Sequence, residues 1–317
     1  MQYGMPTLIE NQSLAQNIAL CTRLGLSFIE LNMNFPEYQL ECLEQTDTLI
    51  EAAERARIYY TIHLDERLDI ADFNTAVADA YFETVRRAIF AAKKLVPLKD
   101  TFGAVDAADA ATTAEVADGG HGTGTTPRTQ PLILNMHMNH GIYITLPDRK
   151  TFMYERDFAK YMKSFERFKN ACEDWIDGAD ILITLENTDG FKNYEKQAIE
   201  LLLQSPVFAL TWDIGHSKAV GETDVPFIKE HADRLVHFHI HDGTETPPKN
   251  HLALGNGEID LQERLAFAKS RGARCVLETK TIAALEKSVK WLKKAGFYTE
   301  ASSHNNADVH KERLSND

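Results

Sequence analysis

The chain has 317 residues, with 34 Lys+Arg against 47 Asp+Glu, a formal net charge of -13 and 44% hydrophobic residues. This acidic balance argues against a broad phosphate-backbone surface, which needs clustered Lys and Arg to displace condensed counterions, so no nucleic acid partner is expected. No run approaches the roughly 20 apolar residues that cross a bilayer, and the first residues lack a charged segment followed by an apolar one; the reading is a cytoplasmic protein with no membrane partner.

In chain order, short β-branched runs alternate with longer helical patterns. The first strand is expected over residues 3–9, followed by a helix over 13–24 that Ser13 caps and Gly25 stops. A strand over 27–31 and a helix over 47–57 come next, then a strand over 58–63. Residues 73–95 form a long amphipathic helix with Val77, Tyr81, Val85 and Ile89 along one face. Residues 98–130 are rich in Ala, Thr, Gly and Asp and have no sustained period, which predicts a flexible insert. The fourth strand is expected over 132–137. Helices over 156–175, 195–203, 225–232 and 261–270 precede strands over 180–186, 208–213, 235–240 and 274–278, and a last helix over 282–294 leads to a polar tail at 300–317.

Eight such alternations define an α/β chain with a parallel sheet, and right-handed crossovers close it into a single (β/α)8 TIM barrel over residues 1–299. An open doubly wound sheet is disfavoured, since neither a Gly-x-Gly-x-x-Gly turn after the first strand nor a phosphate-binding loop is present. Cys21, Cys42, Cys172 and Cys275 are scattered, without Cys-x-x-Cys spacing, and read as buried free thiols.

The predicted strands three to eight end in His63, His137, Glu186, Asp213, His239 and Glu278, all metal-ligand residue types. In a parallel barrel the carboxyl ends of all strands meet on one rim, so residues distant in sequence can surround one point. Glu186, Asp213, His239 and Glu278 would give an oxygen-rich shell with one imidazole, suited to Mn²⁺, Mg²⁺ or Co²⁺, while further histidines favour Zn²⁺. The cofactor expected is therefore a divalent metal ion, Mn²⁺ or Zn²⁺ first.

The sequence resembles the xylose isomerase-like barrels, which group sugar and sugar phosphate isomerases and epimerases with the family-two AP endonucleases. The resemblance rests on Leu185, Glu186 and Asn187, on Asp213 to His216, on His237 to Asp242, on the stretch from His251 to Asp260, and on Leu277 and Glu278. It implies that Glu186, Asp213, His239 and Glu278 bind one metal and that Glu186 and Glu278 also move protons. The expected activity is isomerisation or epimerisation of a small-molecule sugar, sugar phosphate or related polyol ketone, with a metal-dependent dehydratase as a near relative. A homo-oligomer is compatible with this reading.

The alternative is a zinc-dependent AP endonuclease-type phosphodiester hydrolase, a branch that places further histidine ligands at positions matching His63, His137, His216 and His251. Two departures count against it: Lys249 stands where that branch has an aspartate, and His137 is followed by Met138 and Asn139 instead of Pro and Gly. These four histidines are thus read as a second metal site or as substrate contacts. His237 is expected in a lower layer of the barrel, His241 on the rim, and His140 in a loop. Glu30 and Asn32 face either substrate or structural hydrogen bonds. Lys218 and Lys280 are either phosphate contacts or solvated charges, and Trp212 and Phe238 should pack on helices.

Overall fold

A computed structural model describes residues 1–103 and 130–298. Eight parallel strands close into a barrel: β1 (Tyr3–Pro6), β2 (Phe28–Asn32), β3 (Tyr59–His63), β4 (Leu132–His137), β7 (Ile181–Glu186), β8 (Phe208–Asp213), β9 (Leu235–Ile240) and β12 (Arg274–Leu277), in the circular order β1-β12-β9-β8-β7-β4-β3-β2. The remaining strands form two hairpins on the rim, β5 (Tyr143–Thr145) with β6 (Lys150–Phe152) and β10 (Asp242–Thr244) with β11 (Lys249–Leu252).

The barrel strands are buried on both faces, which is why they read as apolar runs. Outward residues pack on the helices: Trp212 meets Phe267 of the helix Leu261–Ser270, ring centroids 5.9 Å apart. The inner face is different. Glu30, Thr61, Asn135, Thr184, Thr211 and His237 are all buried polar groups, and all but His237 Nδ1 pair with one another or with Glu186 and His239. Thr211 Oγ1 donates to Thr184 Oγ1 at 2.7 Å, Thr184 Oγ1 donates to Asn135 Oδ1 at 3.0 Å, and Asn135 Nδ2 donates to Glu186 Oε2. A hydrogen-bonded polar column therefore stands under the rim, because a buried polar group without partners costs free energy.

Helix ends follow local chemistry. Ser13 caps Leu14–Leu24 through Gln16 N–H, and Gly25 ends it in the left-handed region at φ 73. The long helix is Thr75–Phe102, which passes Pro97 and ends seven residues later than the periodicity predicts. Lys99, buried in its last turns, pairs with Asp100 and with Asp180, where the chain approaches β7, and this contact ties the extension to the barrel. The first residues of the expected insert are thus helical; positions 104–129 and the tail lie outside the described residues. Three of the cysteines are buried and Cys42 is half-buried, all as free thiols.

Candidate metal centre

The rim residues converge. Glu186 ends β7, Asp213 ends β8, His239 lies on β9 and Glu278 directly follows β12. One ligand atom from each lies within 4.8 Å of all the others, and all four side chains are buried. His239 Nδ1 stands 3.1 Å from Glu186 Oε1, 3.1 Å from Glu278 Oε2 and 4.0 Å from Asp213 Oδ2.

Local structure aims each group. A bulge in the β8–β9 pairing, where Leu210 faces Leu235 but Thr211 faces His237, takes up Val236 as an extra residue and turns His237 and His239 inward. Asn187 fixes Asp213 from both ends: it accepts from Asp213 N–H at 2.8 Å and donates to Asp213 O at 2.9 Å. Asp213 Oδ1 then caps the short helix Ile214–Ala219 through His216 N–H at 2.6 Å, leaving Oδ2 for the cluster and for His241 Nε2 at 2.9 Å. Gly215 is required here, since a Cβ would lie 1.9 Å from the His241 ring.

Glu30 supports the centre from below. Its Oε1 lies 2.9 Å from His239 Nε2, and its Oε2 meets His237 Nε2 at 3.1 Å and Thr61 Oγ1 at 3.0 Å. A carboxylate beside the far nitrogen of an imidazole favours a proton there, so that Nδ1 is the nitrogen open to a metal ion once the ring is neutral. Of the two roles open to Glu30, the structure assigns the structural one. Asn32 likewise accepts from Asn34 N–H at 2.8 Å.

Burial alone would push the acid groups up, but nearby imidazole and ammonium groups prevail. His239 and His137 hold Glu186 well below the carboxylate range, and Lys280 and His239 do the same for Glu278. Asp213 is lowered against burial by His216 and His241. Burial would depress His239, yet Glu186, Glu30 and Glu278 raise it well above the imidazole range. Three ionised carboxylates around one buried point form an environment that a cation stabilises. Glu278 Oε2 is buried without an aligned hydrogen bond from the described residues, His239 Nδ1 standing 3.1 Å away, and such a carboxylate oxygen suits a metal ion. The donor set of three carboxylates and one imidazole fits a divalent cation.

Two histidine groups adjoin. His63 Nε2 and His137 Nε2 lie 3.4 and 3.3 Å from Glu186 Oε2, so these two share the carboxylate of the main cluster. His216, His241 and His251 form the other group, with 3.4 Å between His216 Nε2 and His251 Nε2. His251 occupies the left-handed region at φ 53, its N–H bonded to His241 Nδ1 at 2.7 Å and its Nδ1 3.0 Å from Glu278 O. Lys249 is exposed. Outside the cluster, His140 Nδ1 pairs with buried Glu195 at 2.6 Å, and Lys218 sits 3.7 and 3.9 Å from Glu245 and Glu258. Lys280 is no free charge: its Nζ meets Glu278 Oε1 at 2.7 Å.

Gly255, Asn256 and Gly257 form a Gly-Asn-Gly loop shortly after β11. Asp242 accepts N–H bonds from Gly243, Gly255, Gly257 and Ile259 at 2.9, 3.0, 2.8 and 3.2 Å, pinning the loop that carries His251.

A family model described as xylose isomerase-like TIM barrel matches residues 136–295. No curated protein matches the sequence significantly. Among solved structures, a D-tagatose 3-epimerase-like protein is similar with 20% identity and a TM-score of 0.65, over 93% of this chain and 96% of its own. D-psicose 3-epimerase from Clostridium cellulolyticum H10 matches at 13% identity and 0.62, over 95% and 100%. The probable 3-DHS dehydratase of petrobactin synthesis from Bacillus anthracis matches at 12% and 0.57, over 92% and 99%. At these identities the likeness is one of fold.

Proposed function

Because the chain belongs to the xylose isomerase-like TIM barrel family, we propose that it is a sugar isomerase or epimerase whose two rim glutamates transfer a carbon-bound proton. The observation that carries this reading is the convergence of three buried carboxylates on His239 Nδ1. A divalent ion held by Glu186, Asp213, His239 and Glu278 would supply Lewis-acid polarisation of a carbonyl and an adjacent hydroxyl, which acidifies the hydrogen on the intervening carbon.

The residues themselves do the rest. β7 and β12 bracket the β8–β9 pair in the barrel, so Glu186 and Glu278 approach the centre from either side of Asp213 and His239. Both are held ionised by their neighbours, the state a base needs. One, ionised, removes the proton; the other, once it has taken up a proton from solvent, delivers that proton to the opposite face of the carbon, which inverts the stereocentre, while return to the neighbouring carbon gives isomerisation. Lys280 steadies the Glu278 charge, while Asn135, His63 and His137 steady Glu186. His216, its Nδ1 4.0 Å from Glu186 Oε1 and without a hydrogen-bond partner among the described residues, offers a further group for a substrate hydroxyl.

The reading predicts incorporation of solvent deuterium at a substrate carbon, abolished by chelation and restored by Mn²⁺, in a panel of ketoses and ketose phosphates. No exchange across the panel in the metal-loaded protein would overturn it.

One observation favours the hydrolytic alternative: the two histidine groups flank the central cluster as extra ion sites would. That reading requires about three ions per chain and nicking of abasic duplex DNA. The exposed Lys249 and the engagement of His241 by Asp213 weigh against a third ion.

A further inference from the structure

We propose that the substrate is a glycoside, with the reacting sugar at the carboxylate cluster and a second sugar ring in a separate cavity beside it; this rests on the isomerase or epimerase reading above. The cavity, about 720 Å³, begins at His137, whose Nε2 is 3.3 Å from Glu186. It is walled by the loop after β3, by the β5–β6 hairpin and by the loop after β7, all at the carboxyl ends of the strands. It lies within the roughly 300–1,000 Å³ of sites that enclose drug-sized ligands. Since Glu186, Asp213, His239 and Glu278 are not part of its wall, this space is additional to the reacting centre.

The lining has the two-sided chemistry that a sugar ring presents. A pyranose offers flat C–H faces and a rim of hydroxyls, so it needs an aromatic face together with short polar groups. Tyr143 and Phe152, on the paired strands of the hairpin, have ring centroids 5.6 Å apart, and Tyr143 is 46% exposed. Asn139, Asp72 and Asp189 supply polar ends around them. His140 is prepared for the same purpose. Fully buried Glu195 lies 2.6 Å from its Nδ1, whereas its Nε2 is buried without a partner among the described residues. With Nδ1 engaged by Glu195, Nε2 is the ring nitrogen left for a hydroxyl, which can either donate or accept.

Charge separates this ligand from a phosphorylated one. Carboxylates outnumber Lys and Arg in the lining, and Lys150 is already placed over the Tyr143 ring at 4.4 Å. A neutral ring is favoured over a dianion.

The test uses Mn²⁺-loaded full-length protein and calorimetric titration with cellobiose, maltose and lactose, with glucose and glucose 6-phosphate as comparators. At least one disaccharide should bind ten-fold or more tighter than glucose. Tyr143→Ala should remove that advantage without changing glucose binding, and Tyr143→Phe should retain it. Equal affinity for all the sugars, tighter binding of the phosphate, or a Tyr143→Ala loss shared by glucose overturns the inference. A parallel deuterium-exchange assay on ketoses and keto-disaccharides separates the two claims. Exchange in ketoses with no disaccharide advantage sinks only the second-ring site. A disaccharide advantage that Tyr143→Ala removes, with no exchange in any sugar, sinks only the proton-transfer reading.

Discussion

Glu186 and Glu278 each occupy a buried position beside other carboxylates, a placement that destabilises the folded chain unless a cation or an imidazolium compensates. Glu186→Gln and Glu278→Gln keep the shape and remove the charge. Each is expected to lower turnover by about 10²–10⁴-fold, the range of general acid–base groups. Since both carboxylates are held ionised by His239 and, for Glu278, by Lys280, removing the charge should also lower the melting temperature of the metal-free protein at neutral pH, by less as pH falls below about 4. Thermal scans of the metal-free protein at neutral and acid pH check this, and an equal drop at both would contradict the charge pairing. At this scale the sequence showed which residue types end the strands, because each sits at the close of an apolar run. It did not show Glu30 as the support of His239, since that contact crosses the barrel from β2 to β9 and depends on closure and on the bulge at Val236. The engagement of Lys280 by Glu278 was hidden for the same reason: a loop charge has no periodic signature.

Between elements, much of the rim is held by a few side chains that accept backbone N–H groups. Asp242 takes four of them across the β10 segment and the Gly-Asn-Gly loop, and a Cβ on Gly257 would lie 2.4 Å from Asp242 Oδ1. Asp242→Ala leaves four donors to find other partners and is expected to cost about 2–4 kcal/mol at roughly 1 kcal/mol per bond, read as a lower denaturation midpoint with an unchanged denaturant slope. Asp69 joins the loop after β3 to Tyr154, whose hydroxyl donates to it at 2.7 Å, and burial raises its pKa to about 6. The folded protein therefore binds a proton that the unfolded chain has released, and stability falls as pH rises from about 4 to about 6. Asp69→Asn, whose oxygen can accept from Ala71 N–H while its amide donates to the Tyr154 hydroxyl, should raise the melting temperature at pH 7 by about 2–4 °C and leave it nearly unchanged below pH 4. An equal shift at both pH values would contradict the burial argument. Long periodic helices were legible in the sequence, whereas the two hairpins, with strands of three and four residues, were too short to show a period. Pro97 misplaced one helix end because local preference ignores the ion pair that holds the following turn.

On the scale of the whole molecule, barrel closure is what turns scattered residues into one centre. Eight repeats of strand and helix made that closure readable, because each strand repeats the same apolar run and the right-handed crossover leaves few other ways to arrange them. The polar interior, from Thr211 through Thr184 and Asn135 to Glu186, was less readable: isolated Thr and Asn residues in apolar strands gain meaning only as neighbours in register. This column and Glu30 fix the rim groups before any ligand arrives, the preorganisation that a proton-transfer site needs. The most direct measurement is an anomalous difference map from crystals of the Mn²⁺-loaded protein. The account predicts a peak bounded by Glu186, Asp213, His239 and Glu278. No peak among these four side chains, or an ion held solely by the neighbouring histidine groups, would contradict it.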